Sequence, residues 1–247
     1  MIFLKSPEEI GIMAANGAIL RECFAFAAES IAPGMTRKEL DAEVERIIIA
    51  RAGRPSFKGY HGYPAATCIS VNDEVVHGIP GDEPFEEGDI VSLDVGVLKD
   101  GYHADAARTY PVGRITAEAR RLIDVTREAL DLGIGQARLG NRLTDISNAV
   151  ETRARKAGYS VVKQLVGHGI GRAMHEEPQV PNFGPPSQGP ELREGIVLAI
   201  EPMVNIGGAD VLTMPDGWTV VTVDHSLSAH FEDTVAVTRD GPKILTR

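Results

Sequence analysis

Apolar residues in the first fifty positions recur at helical spacing, and each run opens on its own cap. Ser6-Pro7-Glu8-Glu9 is a capping box with proline at the first helical position, and Ile10, Met13, Gly17, Leu20, Phe24 and Ala27 form a stripe behind it. This predicts a helix to about Ile31, stopped by Pro33-Gly34. A second box, Thr36-Arg37-Lys38-Glu39, opens a helix with Leu40, Val44 and Ile47 inward that ends at Ala52-Gly53. Beyond the Gly- and Tyr-rich loop 59–64 the period falls to two. A strand is expected over 67–71, then a loop carrying Val76-His77-Gly78-Ile79-Pro80, then a long β-hairpin whose β-branched arms flank Asp100-Gly101.

The same order returns in the second half. Thr116 caps a helix to about Ala137, and Thr144 a shorter one that ends at Ala157-Gly158. Strands are expected over about 160–166, 195–203, 219–223 and 230–238. Gly34 precedes Val44-Glu45 as Gly140 precedes Val150-Glu151, both helices finish in Ala-Gly, and His-Gly-Ile occurs at His77 and at His168. These matches point to a faint internal duplication. The pattern predicts an α+β fold of one domain, 1–247, made of two pseudo-symmetric halves at about 1–112 and 113–247, with a mostly antiparallel sheet and two pairs of helices.

Composition narrows the class. A chain of 247 residues that is 43% hydrophobic can bury a large core, which excludes the disordered and fibrous classes. The sequence shows no apolar run near eighteen residues and no charged segment leading into one, so neither a membrane span nor secretion is expected and the cytoplasm is the default location. Cys23 and Cys68 have no metal-type spacing, which argues against a disulfide framework and a thiolate zinc site. A net charge of −10 without a basic cluster disfavours a nucleic-acid partner.

The hairpin carries the first candidate chemistry. Asp100-Gly101 tolerates the positive φ angles of a two-residue turn, which would pair Lys99 with Tyr102 and Gly96 with Asp105. Asp94 is then the diagonal neighbour of Asp105 on one sheet face, roughly 7–8 Å away. A loop one residue longer would send the two acids to opposite faces. Two ionised acids repel at that spacing in an apolar sheet, but they suit cations that replace the lost water.

Further along, Gly167-His168-Gly169-Ile170-Gly171 sets a histidine among glycines, and His175-Glu176-Glu177-Pro178 follows. The apolar run 196–200 ends in Glu201-Pro202, and alternation in Ala229–Val237 puts Glu232 on the face opposite Phe231 and Asp233. Any one of these acids also fits a strand end in water. Together Asp94, Asp105, His168, Glu201 and Glu232 make four carboxylates and one imidazole, a set too acidic for one tetrahedral zinc and matched by two divalent ions, as in a dinuclear hydrolase.

In order and spacing, His77, Asp94, Asp105, His168, His175, Glu201 and Glu232 resemble the site of the methionine aminopeptidases, which are pita-bread metallopeptidases. The strings Gly59-Tyr-His-Gly-Tyr-Pro64, Ile90-Val-Ser-Leu-Asp94, Gly167-His-Gly-Ile-Gly171, Ile200-Glu-Pro-Met-Val204 and Asp216-Gly-Trp-Thr219 match as well, so the likeness spans almost the whole chain. The short interval between Glu201 and Glu232 and the lack of an N-terminal extension fit the short bacterial type I form. The resemblance implies a curved sheet covered by two helix pairs, two divalent ions (cobalt, manganese, iron or zinc), and removal of methionine from peptide or nascent-protein N-termini with a small second residue.

It further implies that Asp94 holds one metal, that Asp105 and Glu232 bridge both, and that His168 and Glu201 complete the other. Glu201 would move the proton, His175 would bind the oxyanion, and His77 would position the scissile nitrogen. Tyr60, Tyr63, Cys68, Met174 and Trp218 would form the thioether pocket. A monomer working near the ribosome, away from membranes, is expected. Three positions depart from the family pattern: Phe57 stands for a small residue, Met174 for an aromatic, and Asp233 for a histidine. The rival readings are an Xaa-Pro peptidase, which usually carries a further N-terminal domain, and a non-catalytic relative, which would have lost ligands.

Overall fold

The structure, a computed structural model, describes residues 1–247. The first half runs α1 (Pro7–Ser30), α2 (Arg37–Ala50), β1 (Arg54–Pro55), β2 (Thr67–Val71), β3 (Glu74–Val76), β4 (Ile90–Lys99) and β5 (Tyr102–Pro111). The second opens with α3 (Ala117–Gln136), α4 (Leu143–Lys156), β6 (Ser160–Val161), β7 (Gly167–Gly169), β8 (Glu176–Val180) and β9 (Val197–Ile200). It closes with β10 (Met203–Asn205), β11 (Val211–Thr213), β12 (Val220–Thr222), β13 (Ser228–His230), β14 (Glu232–Thr238) and β15 (Gly241–Ile244).

One nine-stranded sheet, in the order β1-β4-β5-β14-β9-β7-β8 with β2 on β4 and β15 on β14, carries the fold. Every pairing in it is antiparallel. Alternation divides its two faces. Val91, Leu93, Val95 and Val97 of β4 pack with Ala104 and Ala106 of β5 against Leu20 and Phe24 of α1 and Leu40 and Val44 of α2. In the other half Leu198, Ile200, Val235 and Val237 pack against Leu122 and Leu130 of α3 and Ile146 and Val150 of α4. Asp94, Asp105 and Glu232, an odd number of positions from these along their strands, point to the opposite face.

The hairpin has the expected register: Lys99 pairs with Tyr102 and Gly96 with Asp105. Asp100 and Gly101 take φ of 51° and 78°, the left-handed pair that a two-residue turn requires. Asn16, fully buried on α1, clamps this turn, its amide donating to the carbonyls of Lys99 (2.9 Å) and Tyr102 (2.8 Å).

Both capping boxes form as predicted, at Ser6/Glu9 and Thr36/Glu39, and Thr116 caps α3. Some details differ. Ile48, a full turn beyond Val44, takes the buried place expected for Ile47, which is half-buried. The cap of α4 falls at Arg142, whose N–H donates to the Asp145 carboxylate (2.7 Å). Thr144 is drawn away into a reciprocal pair with the backbone of Gln188.

The expected strands 160–166 and 195–203 are shorter. Only Ser160–Val161 pairs in the first, and Pro202, which has no N–H for a ladder, breaks the second so that β9 and β10 join different sheets. β8 was not expected; it carries Pro178 and lies at the sheet edge, where proline is tolerated. Finally, α1 is long and apolar enough to pass for a membrane span, contrary to the sequence reading; half of that window is buried inside the protein.

Replacing Asn16 by alanine leaves both turn carbonyls without their buried donor, so Asn16→Ala should lower the unfolding free energy by about 2–3 kcal/mol in urea titrations. A loss below about 0.5 kcal/mol would show that the turn holds its register unaided.

Candidate active site

The strand registers assemble the acids. Asp94 on β4 and Glu232 on β14 lie either side of the same residue, Ala107 on β5, and Asp105 follows two positions along β5 on the same face. His168 on β7 pairs with Ala199 on β9, which pairs with Thr234 on β14. Thr234 then locks to Asp105: its hydroxyl accepts from the Asp105 N–H (3.0 Å) and donates to the Asp105 carbonyl (2.8 Å). Glu201, one residue past β9, brings Oε1 to 3.5 Å from His168 Nε2. Between these groups stand only Ala107, Ala199, Gly96 and Thr234, whose small side chains leave the face concave. A cavity of about 160 Å³ results.

The donor set fits cations. Candidate ligand atoms of Asp105, His168 and Glu232 all lie within 4.8 Å of one another. Asp94 Oδ1, Asp105 Oδ1 and Glu232 Oε1 are buried without any hydrogen-bond partner, an arrangement that is costly unless a positive charge sits among them. Burial pushes the Asp94 carboxyl up to about 7, against a hydrogen bond with Asp105 that lowers it, and holds those of Asp105, Glu201 and Glu232 well above the usual range, where the neighbouring acids add to the effect. Burial lowers His168 to about 4, so its imidazole is neutral. Its Nδ1 faces the Gly169 carbonyl at 2.9 Å, which puts the proton there and leaves the Nε2 lone pair toward the acids.

The other candidate residues line the same cavity. His77, His175, Tyr60, Tyr63, Cys68, Met174 and Trp218 all border it, as does Phe57. Phe57, Tyr63, Cys68 and Met174 form a compact apolar cluster with Ala65, with Tyr60 and Trp218 at its edge. Tyr63 is pinned by its hydroxyl, which donates to the carbonyls of Thr67 (3.0 Å) and Gly78 (2.9 Å), and Trp218 meets its ring edge-on at 5.1 Å. Burial pushes the Cys68 thiol well up, so it acts as a small apolar wall. His77 sits at φ 61°, a left-handed backbone that a non-glycine residue rarely adopts. His175 stands exposed at the rim, its Nδ1 2.7 Å from the Tyr60 hydroxyl and its ring 4.3 Å from that of His168.

Sequence reasoning passed over several contributors. His61 also borders the cavity, at φ 48°, although only its place in the Gly59–Pro64 loop hinted at it. The spacers Ala107 and Ala199 gave no signal, because an alanine in a strand reads as core. On the helix-facing side, Asp233 accepts from Arg108 (2.6 Å), Thr246 (2.7 Å) and Arg247 (2.6 Å). Arg108 also donates to the Glu232 carbonyl, so the aspartate that departs from the family pattern braces Glu232 from behind.

The sequence profile of metallopeptidase family M24 matches residues 11–239. The chain belongs to that family. A methionine aminopeptidase of Clostridium perfringens is 53% identical over 246 residues, which cover 100% of this chain and 99% of that one. The crystal structure of methionine aminopeptidase from Thermotoga maritima superposes with a TM-score of 0.98 at 45% identity, covering all of both chains. The curled antiparallel sheet under four helices is therefore the pita-bread fold of these M24 enzymes. A prolidase from Pyrococcus furiosus shares the fold at a TM-score of 0.81 and 26% identity, and this chain covers 65% of its length.

The raised carboxyls of this M24 site set a pH dependence. Acids that titrate near 4 in the unfolded chain and higher in the fold stabilise the metal-free protein at low pH, a contribution lost as pH rises through their folded values. The Tm of chelator-treated protein should fall between pH 5 and 8, and added Mn²⁺ should raise it more at pH 8 than at pH 5. Equal gains at both would mean that the ion does not relieve these acids.

Proposed function

We propose that this M24 peptidase removes the N-terminal methionine from peptides and newly made proteins whose second residue is small. The observation that carries this reading is the closed apolar wall of Phe57, Tyr63, Cys68 and Met174 set directly against the acidic cluster. It suits a flexible thioether next to the bond to be cut. In this reading residues 1–247 act as one peptidase domain built from two related halves, monomeric and cytoplasmic, where nascent chains emerge from the ribosome.

Asp94, Asp105, His168, Glu201 and Glu232 would hold two divalent ions. Four carboxylates and one imidazole suit manganese, iron, cobalt or zinc, and availability selects among these. Bound ions would acidify a water and polarise the first peptide carbonyl. Glu201 accepts the proton of the attacking water and passes it to the leaving amine. Partial desolvation where its ring meets the site, and then the charge of His61, lower the His175 pKa and favour its neutral form. A hydroxyl proton from Tyr60 on Nδ1 leaves the imidazole proton on Nε2, ready to donate to the developing oxyanion. His77, held by its left-handed backbone, orients the scissile nitrogen.

An Xaa-Pro specificity is disfavoured, since the relative at 53% identity over the whole chain is a methionine aminopeptidase, whereas the prolidase that shares the fold is 26% identical. A non-catalytic role is disfavoured because all five ligand positions are filled and face one cavity. Metal-loaded protein should cleave Met-Ala-Ser and leave Leu-Pro intact; the reverse would make it an Xaa-Pro peptidase, and inactivity on both would favour a binding role.

With Met-Ala-Ser, His175→Ala should lower kcat about a hundredfold or more while metal content stays at the wild-type level, because an oxyanion donor acts in the transition state. Metal loss in that variant would make His175 a ligand. Selectivity supplies a further check. Met174 gives the pocket one flexible wall, so Met174→Phe should sharpen the ratio of kcat/KM for Met-Gly over Leu-Gly peptides, at unchanged metal content. An unaltered ratio would remove Met174 from substrate contact.

A further inference from the structure

The catalytic cavity, about 160 Å³, is small against the roughly 300–1,000 Å³ of ordinary ligand pockets, so it has room for the first residue of a substrate and little more. On the aminopeptidase reading, the rest of a nascent chain must leave past the rim. Beside that rim lies a second depression of about 450 Å³, and His175 borders both. Because His175 borders both, a substrate chain leaving the cavity past His175 meets this groove directly.

One wall of the groove is the segment Met1–Lys5, and the other is 172–177. Both are held in place. The Lys5 N–H donates to the Gly195 carbonyl (2.7 Å), and the Lys5 ammonium forms a buried ion pair with Glu176 at 2.6 Å, tying the two walls together. Arg172 lies over the Tyr102 ring at 4.6 Å and pairs with Glu9 at 3.3 Å, so the charged groups at this end are already engaged. The apolar part of the open lining includes Phe3 and Leu4, 58% and 48% exposed, with the exposed Arg172 and Glu177 side chains on the facing wall. Large side chains left in water next to a catalytic rim, on a braced segment, mark a binding surface.

We propose that this groove binds the third to fifth residues of the substrate chain and favours apolar side chains there. The enzyme then reads a nascent protein in three places: the methionine in the closed pocket, the second residue at the rim, and the following apolar residues between Phe3, Leu4 and the 172–177 wall. The inference rests on the aminopeptidase reading, and the experiment separates the two.

Metal-loaded enzyme is assayed on Met-Ala-Gly, Met-Ala-Gly-Gly-Gly and Met-Ala-Leu-Phe-Gly, alongside Phe3→Asp and Leu4→Asp variants whose melting is checked first. Wild type should favour the apolar pentapeptide over the glycine one by roughly tenfold in kcat/KM, through KM, which is about 1.4 kcal/mol of binding. Either aspartate should remove most of that preference and leave the tripeptide rate within about twofold of wild type. Equal wild-type rates on both pentapeptides, or a preference that survives both substitutions, would overturn the groove while the tripeptide rate still supports the aminopeptidase. Failure on all three peptides would overturn both. If both aspartate variants melt early, the wild-type comparison is repeated with Phe3→Ser, which carries the same expectation.

Discussion

Four buried carboxylates aimed into one cavity cannot all ionise without a compensating positive charge, and that constraint accounts for much of the molecule around them. Asp105 and Glu232 are almost wholly buried, and three carboxylate oxygens in the cavity have no hydrogen-bond partner. In a metal-free protein the cost shows as carboxyl groups held above their usual range. Divalent ions held by the same acids would offset that cost, which would couple the fold's stability to their binding.

A rigid scaffold is needed to keep such acids together. The sheet provides it by separating its two faces: branched apolar side chains meet the helices on one side, and acids spaced by alanine, glycine and threonine meet the cavity on the other. Neither face is independent of the other. Val235 and Val237 hold β14 against α3 and α4, and the same strand presents Glu232 on its opposite face. Asp233, fully buried on the helix side, is satisfied by two arginines and a threonine, and one of those arginines also binds the Glu232 carbonyl. Charge is thus neutralised by guanidinium on one face and left for metal ions on the other.

Rigidity gives way to exposure only at the mouth. His61 and His175 stand in solvent, while Tyr63, Cys68 and Met174 are sealed. An exopeptidase needs this gradient, because the first residue of its substrate must be enclosed while the rest of the chain remains outside. The left-handed backbones of His61 and His77 belong to the loops that form the border, where strain is retained because it aims a ring into the site.

Local elements and the inventory of reactive groups were legible along the chain. Capping boxes at Ser6 and Thr36 mark the starts of the first two helices, and Asp100-Gly101 sets the hairpin register that puts Asp94 and Asp105 on one face. Such signals can be read because they act through neighbours a few residues apart. The family likeness, too, was carried by short strings. How the pieces meet emerged only in three dimensions: Asp94 and Glu232 flank the same alanine, Thr144 is drawn to Gln188 and yields its cap, Glu176–Val180 becomes an edge strand, and Lys5 ties the N-terminal segment to the first residue of that strand. The separations run from about ten residues for that edge strand to more than a hundred for Asp94 with Glu232 and for Lys5 with Glu176. No periodicity along the chain encodes these, because the partner that sets each one is adjacent only once the sheet has closed.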